Sequence, residues 1–132
     1  MDSFVPVHTG LKTDNFKAAI KALKIFHSKF KNLKNIALHD KLISEMSKAV
    51  SKAVKSSDIK ELRVNIYYVT KNLILLAKTY GYRSSKSYYL MYCPMARHGK
   101  GGYWIQTVPN VENPYFGKSM YTCGENLETI KQ

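Results

Sequence analysis

The feature that most constrains this chain is the apolar stripe between Asp58 and Gly81, where Leu62, Ile66, Val69, Leu73, Leu76, Ala77 and Tyr80 recur at helical spacing. Asp58 followed by Glu61 resembles a capping box, and Gly81 is placed to supply a left-handed terminating residue. A stripe this long predicts the central helix of the core. Upstream, Thr13 or Asp14 can cap a helix whose apolar side carries Phe16, Ile20, Leu23, Phe26 and Phe30. A further helix is expected from about Asn35 to Lys55, with Ile43, Met46, Val50, Ala53 and Val54 on one side. The short linkers at Asn32–Lys34 and Ser56–Ser57 favour antiparallel neighbours. The expected fold is therefore mainly α: an antiparallel up-down bundle of three or four helices over about 13–81, within a single domain spanning 1–132.

After Gly81 the helical period stops. Residues 82–132 are dense in Gly, Pro and Tyr, which predicts an irregular loop region packed on the bundle. There is room for one or two short strands, over Tyr88–Tyr92 and Tyr103–Val108. So long an irregular segment needs something to order it, and a bound metal or a disulfide would do so.

A chain of 132 residues with 45% apolar and 23% charged side chains can bury one core. Its 21 Lys and Arg against 9 Asp and Glu leave a formal charge of +12. The lysines are dispersed along the helical part, and Arg63, Arg83 and Arg97 are the arginines, a pattern that disfavours nucleic acid as partner. An anionic membrane surface or an acidic protein would suit the same lysines. No stretch has the apolar length to span a bilayer; Leu73–Ala77 is flanked by Asn72 and Lys78. Met1–Gly10 lacks the pattern of a signal peptide.

Sulfur carries the clearest chemistry. Cys93 and Met95 bracket Pro94, and Met120 and Cys123 lie three apart before Gly124. In an extended stretch Cys93 and Met95 would share a side, and a single turn would bring Met120 to Cys123. Thiolate and thioether donors together favour Cu(I) or Ag(I). Zinc would more naturally take Cys93, Cys123 and His98. Arg97, Lys100 and Lys118 would favour deprotonated thiols. The same spacing equally suits one structural disulfide or two inert thiols, with Met95 and Met120 filling gaps in the core. For an enzyme, a Cys93 nucleophile assisted by His98 would still need a third group to orient the histidine. His8, His27 and His39 are scattered, so no catalytic residue is assigned and the chain is read as a non-enzyme.

The strings YCPMARHGKGGYW and NPYFGKSMYTCGE are similar to the paired signatures of a bacterial family of unknown function, found in periplasmic proteins and at the C-terminus of some CusB-like heavy-metal efflux adaptors. Upstream, DIKELRVNIYYVTKNLILLAK resembles that family's long helix. The resemblance implies a helical bundle with a metal-binding loop region and an exported, periplasmic location. It also implies a role in copper or silver resistance as an efflux accessory. Carried over, it makes Cys93, Met95, Met120 and Cys123 the metal ligands; His98 is an additional candidate by its spacing from Cys93 and not by the resemblance. Arg97 and His98 stand where the family often has Asn or another polar residue, and the exporter portion is absent, which implies a stand-alone domain. Tyr92, Tyr103, Trp104 and Tyr121 would wall the site against water. The expected function is sequestration or transfer of Cu(I) or Ag(I), with zinc as a further ion and an efflux adaptor or metallochaperone as partner. The alternative is a zinc-binding or disulfide-stabilised interaction module with a basic helical face.

Overall fold

The structure is a computed structural model that describes residues 1–36, 41–82, 84 and 86–130. After a short 3-10 turn at Asp2–Phe4, the helices are α1 Val5–Lys12, α2 Phe16–Ile36, α3 Lys41–Val54 and α4 Ile59–Tyr80. Strands β1 Tyr88–Cys93, β2 Gly102–Gln106 and β3 Glu125–Ile130 form an antiparallel sheet in the order β2-β1-β3. The protein is thus mainly helical with a small sheet.

Helix α1 lies in a segment the periodicity did not assign. Pro6 sits in its first turn, where the missing N–H costs nothing. Thr13 ends α1 instead of starting α2, its hydroxyl donating to the Thr9 carbonyl. Asp14 turns the chain with φ 58°, and Asn15 caps α2 by accepting from the Ala18 N–H at 3.0 Å. The two helices meet so closely that a Cβ on Gly10 would lie 2.5 Å from the Ala19 nitrogen. Helix α2 continues through Asn32–Lys34, the expected linker, because nothing there breaks a helix. The expected second helix begins at Lys41 in the structure; positions 37–40, His39 among them, lie outside the described residues, as does Arg83.

Helix α4 follows its sequence signals closely. Asp58 accepts from the Glu61 N–H at 2.8 Å, while the Glu61 carboxylate reaches back to the Ser57 N–H and hydroxyl. Gly81, at φ 71°, ends it. Its buried residues Leu62, Ile66, Val69 and Leu73 join Leu11 and Leu23 of α1 and α2, Met46 and Val50 of α3, and Met91 and Trp104 of the sheet in one core. Helix α4 packs on α3 and on β2, so the irregular region is anchored to the helical part by the same apolar cluster.

The expected strands appear with slightly shifted ends, at Tyr88–Cys93 and Gly102–Gln106. The third strand was not expected: Glu125–Thr129 is exposed throughout, so no alternation of apolar and polar residues marks it. Its pairing with β1 holds it, with a register shift between Leu90 and Met91. Among the described residues no helix is long and apolar enough to cross a membrane.

Candidate metal centre

Strand β1 is central in the sheet, and its last residue, Cys93, pairs with Gly102 of β2 and is fully buried. Cys123 lies in the turn before β3 and is partly exposed. Pairing of Tyr92 with Glu125 draws that turn across the end of β1. The consequence is a contact of 2.9 Å between the sulfur atoms of Cys93 and Cys123.

Several groups hold Cys123 there. The side chain of Asn113 is completely buried, donating through Nδ2 to the Cys123 carbonyl at 2.6 Å and accepting through Oδ1 from the Tyr115 and Phe116 N–H groups. The Asn113 N–H donates to the Tyr121 carbonyl at 2.7 Å, closing the loop from its other side. Gly124, with φ 136°, lets the chain pass close to β1 and β2: a Cβ there would stand 2.7 Å from the Tyr92 carbonyl oxygen and 2.8 Å from the Trp104 ring. Trp104 in turn is fixed by donating to Gln106 Oε1 at 2.8 Å and by an edge-to-face contact with Tyr115.

The aromatic residues divide between two environments. Trp104 is buried beside Gly124, and the Tyr92 backbone lies against the same glycine. The rings of Tyr92 and Tyr103 form a cross-strand pair at 4.8 Å, with Tyr103 exposed. Tyr121 donates its hydroxyl to Glu112 at 3.0 Å.

The methionines are placed differently from one another. Met120 ends a 3-10 turn, Gly117–Met120, and its carbonyl accepts from the Cys123 N–H at 3.1 Å, so its half-buried thioether belongs to the same turn as that thiol. Met95 does not continue the strand: β1 stops at Cys93, and Met95 adopts φ −80°, ψ −15°. The extended geometry that would align Met95 with Cys93 is therefore lost, and Met95 is 55% exposed in a groove beside Lys60, Arg63, Arg97 and His98. His98 is exposed in the same groove. Among the described residues no three His, Cys, Asp or Glu side chains gather as a metal-binding group, so Cys93, Cys123 and His98 are not assembled as a zinc set.

Charge around the thiols also differs from expectation. The hydrogen bond with Cys93, then burial, then the charge on Cys93 push the Cys123 thiol up to about 11. Arg97 does not offset this, because its guanidinium is stacked over the Tyr67 ring at 3.6 Å and donates to the Gly101 carbonyl. Cys123 therefore rests as a thiol at neutral pH.

The donors fit a soft ion in kind. An ion bridging two thiolates at bond lengths of about 2.3 Å spreads the sulfurs to at most about 4.6 Å. The pair would have to open from its 2.9 Å contact. A disulfide needs the opposite movement, closure to about 2.05 Å.

Asn113 and Gln106 were not legible as site residues. The place of Asn113 before Pro114 signals a turn former and carries no sign of its buried bonds. Gln106, also buried, donates through Nε2 to the Val108 and Asn110 carbonyls and accepts the Glu112 N–H. An isolated Gln in a strand carries no signal of that role. Arg97 and His98 both adopt left-handed backbone, φ 57° and 59°, at a cost of about 1–2 kcal/mol per residue. No family model, curated protein or solved structure matches the chain.

Proposed function

We propose that the protein sequesters or transfers Cu(I) or Ag(I), with the thiolates of Cys93 and Cys123 as the primary donors. The observation that carries this reading is the contact between two sulfurs brought from opposite ends of a long loop. Two thiolates satisfy a soft monovalent ion, and Met120, in the same turn as Cys123, would add the third bond. The resemblance of YCPMARHGKGGYW and NPYFGKSMYTCGE to the efflux-associated family supports the same chemistry, an exported location and an efflux adaptor or metallochaperone as the exchanging partner. In this reading α2, α3 and α4 are the antiparallel bundle that carries the site. Met95 and His98, exposed in the groove beside α4, would stand outside the resting coordination.

A second reading is favoured by the closeness of the sulfurs: a disulfide that staples the turn before β3 to the end of β1. One experiment separates the two. Protein reduced and held without oxygen is titrated with Cu(I) against a chromophoric Cu(I) chelator, and its Cys93→Ser and Cys123→Ser variants are treated alike. Retention of about one ion by the parent and loss in both variants supports the metal reading. Retention by neither parent nor variants, together with complete disulfide formation in air, leaves the staple.

A further inference from the structure

We propose that the exposed face of α4 around Val64 and Tyr68 docks an acidic protein segment that carries apolar anchors, a contact that does not depend on the ion at the cysteines. Lys60, Val64, Tyr68 and Lys71 recur at spacings of four, four and three, so they line one side of the helix. Val64 is 51% and Tyr68 46% exposed, which leaves a valine and an aromatic ring in water on a helix whose other side is the centre of the core. Grooves run along both flanks. One, of about 380 Å³, separates this face from Lys48 and Lys52 of α3. The other, of about 310 Å³, separates it from the turn after β1, where Met95 is exposed.

The chemistry of the rims selects the partner. Lys48, Lys52 and Lys71 line the first groove together with Glu45, and Lys60, Arg63 and Arg97 line the second. An excess of positive side chains around apolar centres suits a partner with carboxylates flanking aliphatic or aromatic anchors. A phosphate backbone would use the lysines but leave Val64, Tyr68 and Met95 without a role. The turn holding Met95 is strained, with Arg97 and His98 both in left-handed backbone, and it is clamped to α4 by the Arg97 guanidinium over Tyr67. That clamp fixes the far wall of the second groove, so the surface is shaped before a partner arrives.

The test uses the whole chain and a short synthetic amphipathic peptide with leucines on one helical face and glutamates beside them, followed by fluorescence anisotropy. The peptide is expected to bind, and replacing Val64 and Tyr68 together by serine should weaken it about tenfold. Since both are exposed, an unchanged circular dichroism melt should accompany the loss. Replacing Lys17, Lys21 and Lys24 on α2 by glutamine removes three positive charges away from this face and should change affinity less than twofold. The proposal is overturned if the peptide does not bind, if a scrambled peptide of the same composition binds equally, or if the α2 variant loses as much as the α4 variant. Tighter capture of duplex DNA or of phosphatidylglycerol vesicles, with the serine variant unaffected, overturns it too.

Discussion

The Cys93 and Cys123 sulfurs touch at 2.9 Å although thirty positions separate the residues, because Cys93 closes the central strand while Cys123 opens the turn into the strand beside it. Each consequence for metal uptake starts from this contact.

Metal uptake should release protons and strengthen as pH rises. The Cys123 thiol is pushed up to about 11, so at neutral pH it is protonated and an entering soft ion must displace that proton. Competition titrations of the reduced protein between pH 6 and pH 9, chosen to span about three decades of proton activity, should show apparent Cu(I) affinity climbing throughout. A flat profile would mean that Cys123 is not a thiolate donor.

Replacing Met120 by leucine keeps size and apolarity while removing the thioether. We expect about a tenfold loss of Cu(I) affinity with the melting temperature nearly unchanged. Met95→Leu should cost much less affinity, since Met95 lies exposed beyond the end of β1. Equal affinity of Met120→Leu and the parent would remove Met120 from the donor set.

Asn113→Ala should destabilise the fold by about 2–4 kcal/mol, because it removes a buried side chain that bonds three backbone groups and leaves them unsatisfied. Urea unfolding measures this. The same variant should slow air oxidation of the cysteines to a disulfide, as the Cys123 carbonyl loses its anchor.

His8 gives the fold an acid-sensitive window. Burial is the main cause, and the nearby Lys12 charge adds to it, while the Nε2–H bond to the Glu112 carbonyl opposes them; the net effect lowers its pKa from 6.5 to about 4. The unfolded chain therefore binds the proton first as pH falls. Stability is fully present above about pH 6.5, is lost progressively down to about pH 4, and the total from this group is about 3 kcal/mol. Urea midpoints at pH 7.5 and pH 4.5 should differ less in His8→Gln than in the parent; identical differences would place the acid sensitivity elsewhere.

The helical core was legible where residues repeat with a period. Leu62, Ile66, Val69 and Leu73 declared one face of α4, and Asp58, Glu61 and Gly81 marked its ends, because capping and terminating groups act on neighbours along the chain. The boundary between α1 and α2 was misread because Thr13, Asp14 and Asn15 are all capping residues, and packing of Gly10 on Ala19 decides which one starts the helix. Strand β3 was missed since its exposed side chains show no alternation and its stability comes from bonds to β1. In the candidate site the sequence supplied both cysteines but not Asn113 or Gln106, whose partners are distant main-chain atoms.

By itself, then, the sequence determined the periodic apolar faces, the caps and the presence of two thiols with two thioethers nearby, since these depend on residue type and local spacing. Only the tertiary structure decided that the thiols meet, that Met95 leaves the line of β1, and that lysines of two helices share a rim with Val64 and Tyr68. Those outcomes depend on strand order and on how helices seat against the sheet. Such contacts are set by the whole core, and no short stretch of chain encodes them.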